Sequence, residues 1–459
     1  MSLIRSISGI RGTIGGHPGT NLTPPDIVKY TAAYATMLRA RSHRPRVVIG
    51  RDGRISGPMV QHLVTGTLIA MGVDVIDVGL STTPTVEMAV PWAEADGGII
   101  LTASHNPAEW NALKLLNAAG EFLSAADGAT LLELAGRDDS AFAPVDRLGT
   151  VVSGEGYLQR HIEAVCAHPL VDAAAIGAAG LRVVVDAINS SGAIAVPALL
   201  HALGVKDVVV LNGAPDGRFA HNPEPLPEHL TELSMAVPTH RAQLGIAVDP
   251  DVDRLCFVNE DGTLFGEEYT LVAVADYVLG HRTGATVSNL SSTRALGEVA
   301  MRHGGTYHPS AVGEVNVVRK MKEVQAVIGG EGNGGIILPD LHYGRDALIG
   351  IALFLSHLCR HGKGMRSLRA IYPDHVISKN KIELDAAADL NNLFRKVRER
   401  YHQHPVNTED GLRIEFGADW VHLRASNTEP IIRIYAESDT AAGATTLAER
   451  VMADIRELS

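Results

Sequence analysis

Arg46-Val47-Val48-Ile49-Gly50-Arg51-Asp52-Gly53-Arg54 is a β-branched run that stops in a charged, glycine-containing loop. A helical segment over 59–71 and an apolar strand over 73–78 follow. Strand, polar loop, helix, strand is the grammar of a parallel α/β sheet. A helix over 26–39, entered through Pro24-Pro25, precedes this unit. A further strand over 98–101 runs into Thr102-Ala103-Ser104-His105-Asn106-Pro107.

The pattern recurs twice. Residues 181–186 read as a strand, 193–203 as a helix, 208–211 as a strand, and 244–248 as a strand ending in Asp249-Pro250-Asp251-Val252-Asp253. A third round places a strand at 286–289, a helix near 295–302 and a strand at 326–328 before a glycine-rich loop. The end of the chain differs, with strands at 412–416, 420–424 and 431–437 on short loops and a helix at 440–457. The expected architecture is α/β: three similar mixed α/β domains (1–150, 151–256, 257–370) and a C-terminal α+β domain (371–459) with an antiparallel sheet, around a central cleft. Open α/β sheets bind ligands at the carboxyl ends of their strands, which directs attention to those loops.

Composition narrows the function. Of 459 residues, 46% are hydrophobic and 20% charged, enough apolar side chain for several cores. Forty basic residues face 52 acidic ones, a net charge of −12, which argues against a nucleic-acid partner. The most apolar stretch, near 347–354, is too short to cross a bilayer, so no membrane partner is expected. The first eleven residues carry Arg5 and Arg11 without an apolar core between them, unlike a signal peptide. Three widely spaced cysteines, Cys166, Cys256 and Cys359, suggest neither a zinc motif nor a disulfide framework. A cytoplasmic protein is expected, with no sequence signal for oligomeric state.

Four constellations could carry chemistry. Asp249, Asp251 and Asp253 alternate, which on an extended segment puts three carboxylates on one side. Such a cluster needs a cation, and all-oxygen ligands favour Mg²⁺ or Ca²⁺. An EF-hand is ruled out because Arg254 occupies the position that requires glycine. An aspartyl-nucleophile phosphatase stays open on this segment. Ser104 is either a nucleophile or a turn residue, and extended geometry turns His105 away from it. Gly329-Gly330-Glu331-Gly332-Asn333-Gly334-Gly335 leads into an apolar strand and not a helix, unlike a dinucleotide fingerprint. Its glycines would let the backbone approach a ligand, with Glu331 and Asn333 offered to hydroxyls. Arg424-Ala425-Ser426-Asn427-Thr428-Glu429-Pro430, followed by Arg433, gathers donors suited to a phosphate dianion.

In the order and spacing of these motifs, and in Ser8-Gly9-Ile10-Arg11-Gly12, the whole chain resembles the α-D-phosphohexomutase superfamily. That order also sets aside the aspartyl-phosphatase alternative. The resemblance implies a phosphosugar mutase with Ser104 as phosphoserine and Mg²⁺ held by Asp249, Asp251, Asp253 and the phosphoserine oxygen. It implies Glu331 as a reader of sugar hydroxyls, and Arg424, Ser426, Asn427, Thr428 and Arg433 as the grip on the phosphate not being transferred. Arg11, His105, Lys114 and Arg254 match positions lining the transfer site. A sugar 1,6-bisphosphate would be the intermediate. Lys114 is the first candidate base, because a lysine beside other cations loses its proton more easily; His105 is the second. Gly332-Asn333-Gly334-Gly335 stands where many bacterial members carry Ser-Gly-His after the glutamate, a variant similar to the archaeal-type phosphoglucosamine mutases. Glucosamine phosphate is therefore the first expectation for the substrate.

Overall fold

A computed structural model describes residues 2–6, 9–137, 140–383, 389–425 and 431–458. Its first sheet has seven strands: β1 (Ile4–Ser6), β2 (Gly9–Thr13), β3 (Arg46–Arg51), β4 (Asp74–Leu80), β5 (Gly97–Leu101), β6 (Trp110–Leu116) and β7 (Val151–Ser153), in the order β1-β2-β6-β5-β3-β4-β7. Strands β5, β3, β4 and β7 are parallel, and β6 runs antiparallel to β5. The second sheet contains β8 (Arg182–Asp186), β9 (Asp207–Leu211), β10 (Leu244–Val248) and β11 (Leu255–Val258), ordered β11-β10-β8-β9. The third contains β12 (Ala285–Asn289), β13 (Thr306–Ser310), β14 (Ile328–Glu331) and β15 (Gly335–Ile337), ordered β13-β12-β14-β15.

Val183-Val184-Val185 in β8 is buried on both faces, the continuous apolar run that a parallel strand covered on two sides requires. Helix starts follow local chemistry as well. Thr23 N–H donates to Asp26 at the head of Pro24–Arg39, closing the first turn. Cores lie on both faces of the first sheet, around Ile27, Ile49 and Val64 on one side and Val86, Val90 and Ile100 on the other. One continuous core joins the second and third sheets through the helices Glu267–Leu279 and Ala347–His361.

The fourth sheet is antiparallel: β16 (Val376–Glu383), β17 (Val406–Asn407), β18 (Leu412–Phe416), β19 (Asp419–Ala425) and β20 (Ile431–Ser438), ordered β16-β20-β19-β18-β17. The helices Leu390–Arg400 and Ala441–Leu458 cover its apolar face, burying Leu393, Val397, Leu423, Ile434 and Val451. The chain thus has three mixed α/β domains and a C-terminal domain with an antiparallel sheet.

The first three sheets share one device. In each, a parallel strand turns back into an antiparallel neighbour, and the connecting loop carries candidate chemistry. The loop after β5 holds Ser104, that after β10 holds the three aspartates, and that after β14 holds Asn333, with Glu331 closing the strand. All three lie at the carboxyl ends of parallel strands.

Candidate active site

Ser104 and Asp249, 145 positions apart, meet directly. Ser104 Oγ donates to Asp249 Oδ2 across 2.7 Å, and both residues are buried. Ser104 has φ 50, a left-handed conformation uncommon for a side-chain-bearing residue and typical of strain stored at functional loops. Because the chain bends there, strand alternation fails, and His105 Nδ1 comes to 3.3 Å from Ser104 Oγ. The expectation that His105 faces away from Ser104 is therefore corrected. Burial, then Arg254 and Arg11, hold the His105 imidazole well below its usual pKa, so it is neutral.

The serine loop is held by a residue that sequence reasoning passed over. Fully buried Arg54 donates to the carbonyl oxygens of Ser104 (2.5 Å), Asn106 (2.6 Å), Pro107 (2.6 Å) and Trp110 (2.9 Å). Asp52 pairs with it at 3.0 Å and accepts from Thr102, whose hydroxyl receives the Ser104 N–H. Arg11 donates to the Asn106 side chain at 2.8 Å.

The aspartates converge by a turn and not by extended alternation, which corrects the sequence expectation. Val252 N–H donates to Asp249 O at 3.0 Å, and Val252 has φ 62, strained for a β-branched residue. Both Ser190 and Ser191 hydroxyls donate to Pro250 O at 2.6 Å, fixing the loop from below. Oxygens of Asp249, Asp251 and Asp253 lie within 4.8 Å of one another, all three residues fully buried. Burial, then the charges of Asp253 and Asp251, push Asp249 well above the carboxylate range. Asp251 Oδ1 and Asp253 Oδ1 are buried with no hydrogen-bond partner among the described residues. Buried orphan carboxylate oxygens are costly, and a hard cation is the ligand that satisfies them. The donor set fits Mg²⁺.

Lys114 Nζ lies 2.7 Å from Asp251 and 3.2 Å from Asp253. Burial lowers its pKa, but Asp251 and Asp253 raise it by more, so the ammonium is held. Its hydrogen-bond partners are acids, which outweigh the nearby Arg345 cation, so the expected easing of its proton loss is not met. Arg254 pairs with Glu224 at 2.9 Å, while its Nε is buried without a partner among the described residues.

Arg345, also missed from sequence, joins two of the loops. It contacts Asp253 at 2.8 Å, Glu314 at 3.0 Å and Glu331 at 3.0 Å. Glu331 further accepts from Asn289 (2.8 Å) and from Gly313 N–H (3.1 Å). Its carboxylate is already well held. The only sequence signal for Arg345 was a charged pair, Arg345-Asp346, at the head of the apolar helix Ala347–His361. Asn333 accepts from Gly335 N–H within its own loop. The neighbouring glycines admit protein and not ligand: a Cβ at Gly332 would stand 1.9 Å from Glu268 Oε2, and one at Gly334 2.0 Å from Leu255 O.

Arg424 Nε donates to the Asp410 carboxylate, which also accepts Val312 N–H at 2.9 Å, next to the Gly313 that binds Glu331. The C-terminal domain is thereby linked to the Glu331 loop. Arg433 is exposed and stands between Arg424 and Lys381 in the ladder, a row of three cations across β19, β20 and β16. Ser426, Asn427 and Thr428 lie outside the described residues.

A strained serine beside three convergent aspartates, with Arg11, Arg54 and Arg254 around it, is an arrangement suited to phosphoryl transfer. Sequence models of phosphoglucomutase/phosphomannomutase domains I, II and III and of the C-terminal domain match residues 3–141, 159–262, 266–375 and 378–454 in turn. The chain belongs to the phosphoglucomutase/phosphomannomutase family. It is a phosphohexomutase, an isomerase acting by intramolecular phosphoryl transfer. A phosphoglucomutase/phosphomannomutase of Thermococcus kodakarensis is 37% identical over 93% of this chain and 94% of its own length. A phosphoglucosamine/phosphogalactosamine mutase of Sulfurisphaera tokodaii is 30% identical, covering 95% and 96%. Among solved structures, a family protein from Burkholderia thailandensis aligns with TM-score 0.83 at 26% identity, over 99% of this chain and 97% of that one. No helix among the described residues is long and apolar enough to cross a membrane.

Proposed function

We propose that the enzyme interconverts the 6-phosphate and 1-phosphate of a hexosamine or hexose, with glucosamine phosphate preferred, through phosphorylated Ser104 and a sugar 1,6-bisphosphate. The contact of Ser104 Oγ with Asp249 at 2.7 Å carries this reading. Asp249, Asp251, Asp253 and the Ser104 oxygen would hold Mg²⁺, which supplies charge neutralisation at the phosphoryl oxygens.

In transfer, a sugar hydroxyl forms the new P–O bond, the Ser104 Oγ–P bond breaks, and the hydroxyl proton passes to a base. Neutral His105 suits that role, its Nδ1 lying 3.3 Å from Ser104 Oγ and its Nε2 3.5 Å from the Arg254 guanidinium. Lys114, held as an ammonium by Asp251 and Asp253, contributes charge and orientation. Arg254 Nε and Arg11 offer donors to phosphoryl oxygens. The bisphosphate then turns end for end, so that its second phosphate reloads Ser104.

The far phosphate occupies the loop of Arg424, Ser426, Asn427 and Thr428, with Arg433. Arg424 and Arg433 face each other across the ladder, where like charges repel, and a bound dianion relieves that repulsion. Glu331 and Asn333 read hydroxyls in both orientations. The Gly332-Asn333-Gly334-Gly335 variant supports glucosamine, as does the activity named for the Sulfurisphaera relative. Three unpaired cysteines support a reducing, cytoplasmic setting. Comparing kcat/KM for glucosamine, glucose and mannose 1-phosphates tests the assignment. The highest value is expected for glucosamine 1-phosphate, and a tenfold preference for glucose or mannose would overturn it.

A further inference from the structure

Behind the transfer site, a second group of metal-ligating side chains gathers from three domains. His161 comes from the helix Tyr157–Cys166 and Glu87 from the helix Thr83–Trp92. Asp346 caps the helix Ala347–His361, and His342 lies one turn before it. Ligand atoms of His161, His342 and Asp346 lie within 4.8 Å of one another. Asp346 Oδ2 is 2.9 Å from His161 Nε2 and 3.2 Å from His342 Nε2, and His342 Nδ1 is 3.5 Å from Glu87 Oε2.

A neutral imidazole has one N–H, so His342 meets both Asp346 and Glu87 only if Glu87 carries a proton, whereas an ion on Nε2 leaves the Nδ1–H for Glu87. Both Glu87 carboxylate oxygens are buried with no hydrogen-bond partner among the described residues, and Glu87 is 2% exposed. His161 Nδ1 lies 2.9 Å from the Thr85 hydroxyl, the outer contact that orients a ligating imidazole through its other nitrogen.

We propose that His161, His342 and Asp346 form a second divalent-cation site, of zinc type, with Thr85 and Glu87 behind its two imidazoles, that ties the first three domains together. Two imidazoles and a carboxylate, with a fourth position open, suit Zn²⁺, whereas the all-oxygen aspartate nest suits Mg²⁺. Ligands about 2.0–2.1 Å from a tetrahedral ion stand roughly 3.3 Å apart, and Asp346 Oδ2 lies 2.9 Å and 3.2 Å from the Nε2 atoms of His161 and His342. A cavity of about 60 Å³, lined by Glu87, Trp92, Gly120 and His342 among others, adjoins the group and gives an ion a way in. The inference is independent of which sugar the enzyme takes.

Zinc retained by the full chain, dialysed against excess Mg²⁺ to fill the aspartate nest, tests it. The wild type and an Asp249→Asn/Asp253→Asn variant should each keep one zinc equivalent. His342→Gln, checked for folding by its melting curve, should lose it. Co²⁺ in the wild type should give the intense visible bands of a tetrahedral site. A wild type that keeps no zinc, leaving only hydrogen bonds from the two imidazoles to Asp346, would overturn the proposal, as would a His342→Gln chain with undiminished zinc.

Discussion

Arg345 reaches Asp253 across 2.8 Å, and so ties the aspartate loop of the second sheet to the head of the apolar helix Ala347–His361 of the third. The same guanidinium holds Glu314 and Glu331. Replacing it by methionine leaves buried Glu314 and Glu331 without their cation and Asp253 with Lys114 alone, and breaking a buried pair costs about 3–5 kcal/mol. Chemical denaturation of Arg345→Met should show a loss of that order. Arg345→Lys should recover only part of it, since one ammonium lacks the planar fork that bridges several carboxylates.

Arg54 contacts the backbone of the serine loop but no group that the reaction transforms. Its four carbonyl partners fix where Ser104 Oγ points. Arg54→Lys should lower kcat by roughly 100-fold, the scale set by a misplacement near 1 Å, with KM little changed. Steady-state kinetics separate the two; a rise in KM alone would assign Arg54 to substrate binding.

Arg424→Ala removes a charge-assisted grip on the far phosphate. Hydrogen bonds to charged groups contribute about 1.5–3 kcal/mol, so KM should rise roughly 10- to 100-fold. Unchanged substrate affinity in that variant would remove the loop from the site.

His422 links the third and fourth domains. Its Nδ1 meets Ser291 Oγ at 2.8 Å and its Nε2 donates to Asp410 O at 2.6 Å. Burial lowers its pKa to about 4, so the folded chain keeps it neutral where the unfolded chain, near 6.5, takes up a proton. The stability this neutral ring contributes is present above about pH 6.5 and is lost as pH falls towards 4. Thermal melts over that window should show a steeper decline for the wild type than for His422→Gln.

The strands and the loops that end them were legible because β-branched runs alternate with charged, glycine-rich breaks. Ser104, the aspartates and Glu331 were found for that reason. Their geometry was not legible, because it rests on left-handed backbone at Ser104 and Val252 that strand periodicity cannot express. Arg54 and Arg345 went unnoticed for a different reason. Each acts by joining segments distant in sequence, and a lone arginine beside an acid looks the same on any surface turn. The glycines after β14 were read as room for a ligand, whereas they make room for Glu268 and Leu255.

Phosphate on Ser104 tests the central claim most directly. Intact-mass and peptide analysis after incubation with a hexose 1,6-bisphosphate should find one phosphoryl group on the peptide containing Ser104. Ser104→Ala, folded by its melting curve, should carry none and turn over no substrate. A phosphate elsewhere on the chain, or substantial steady-state mutase activity in Ser104→Ala, would contradict the account.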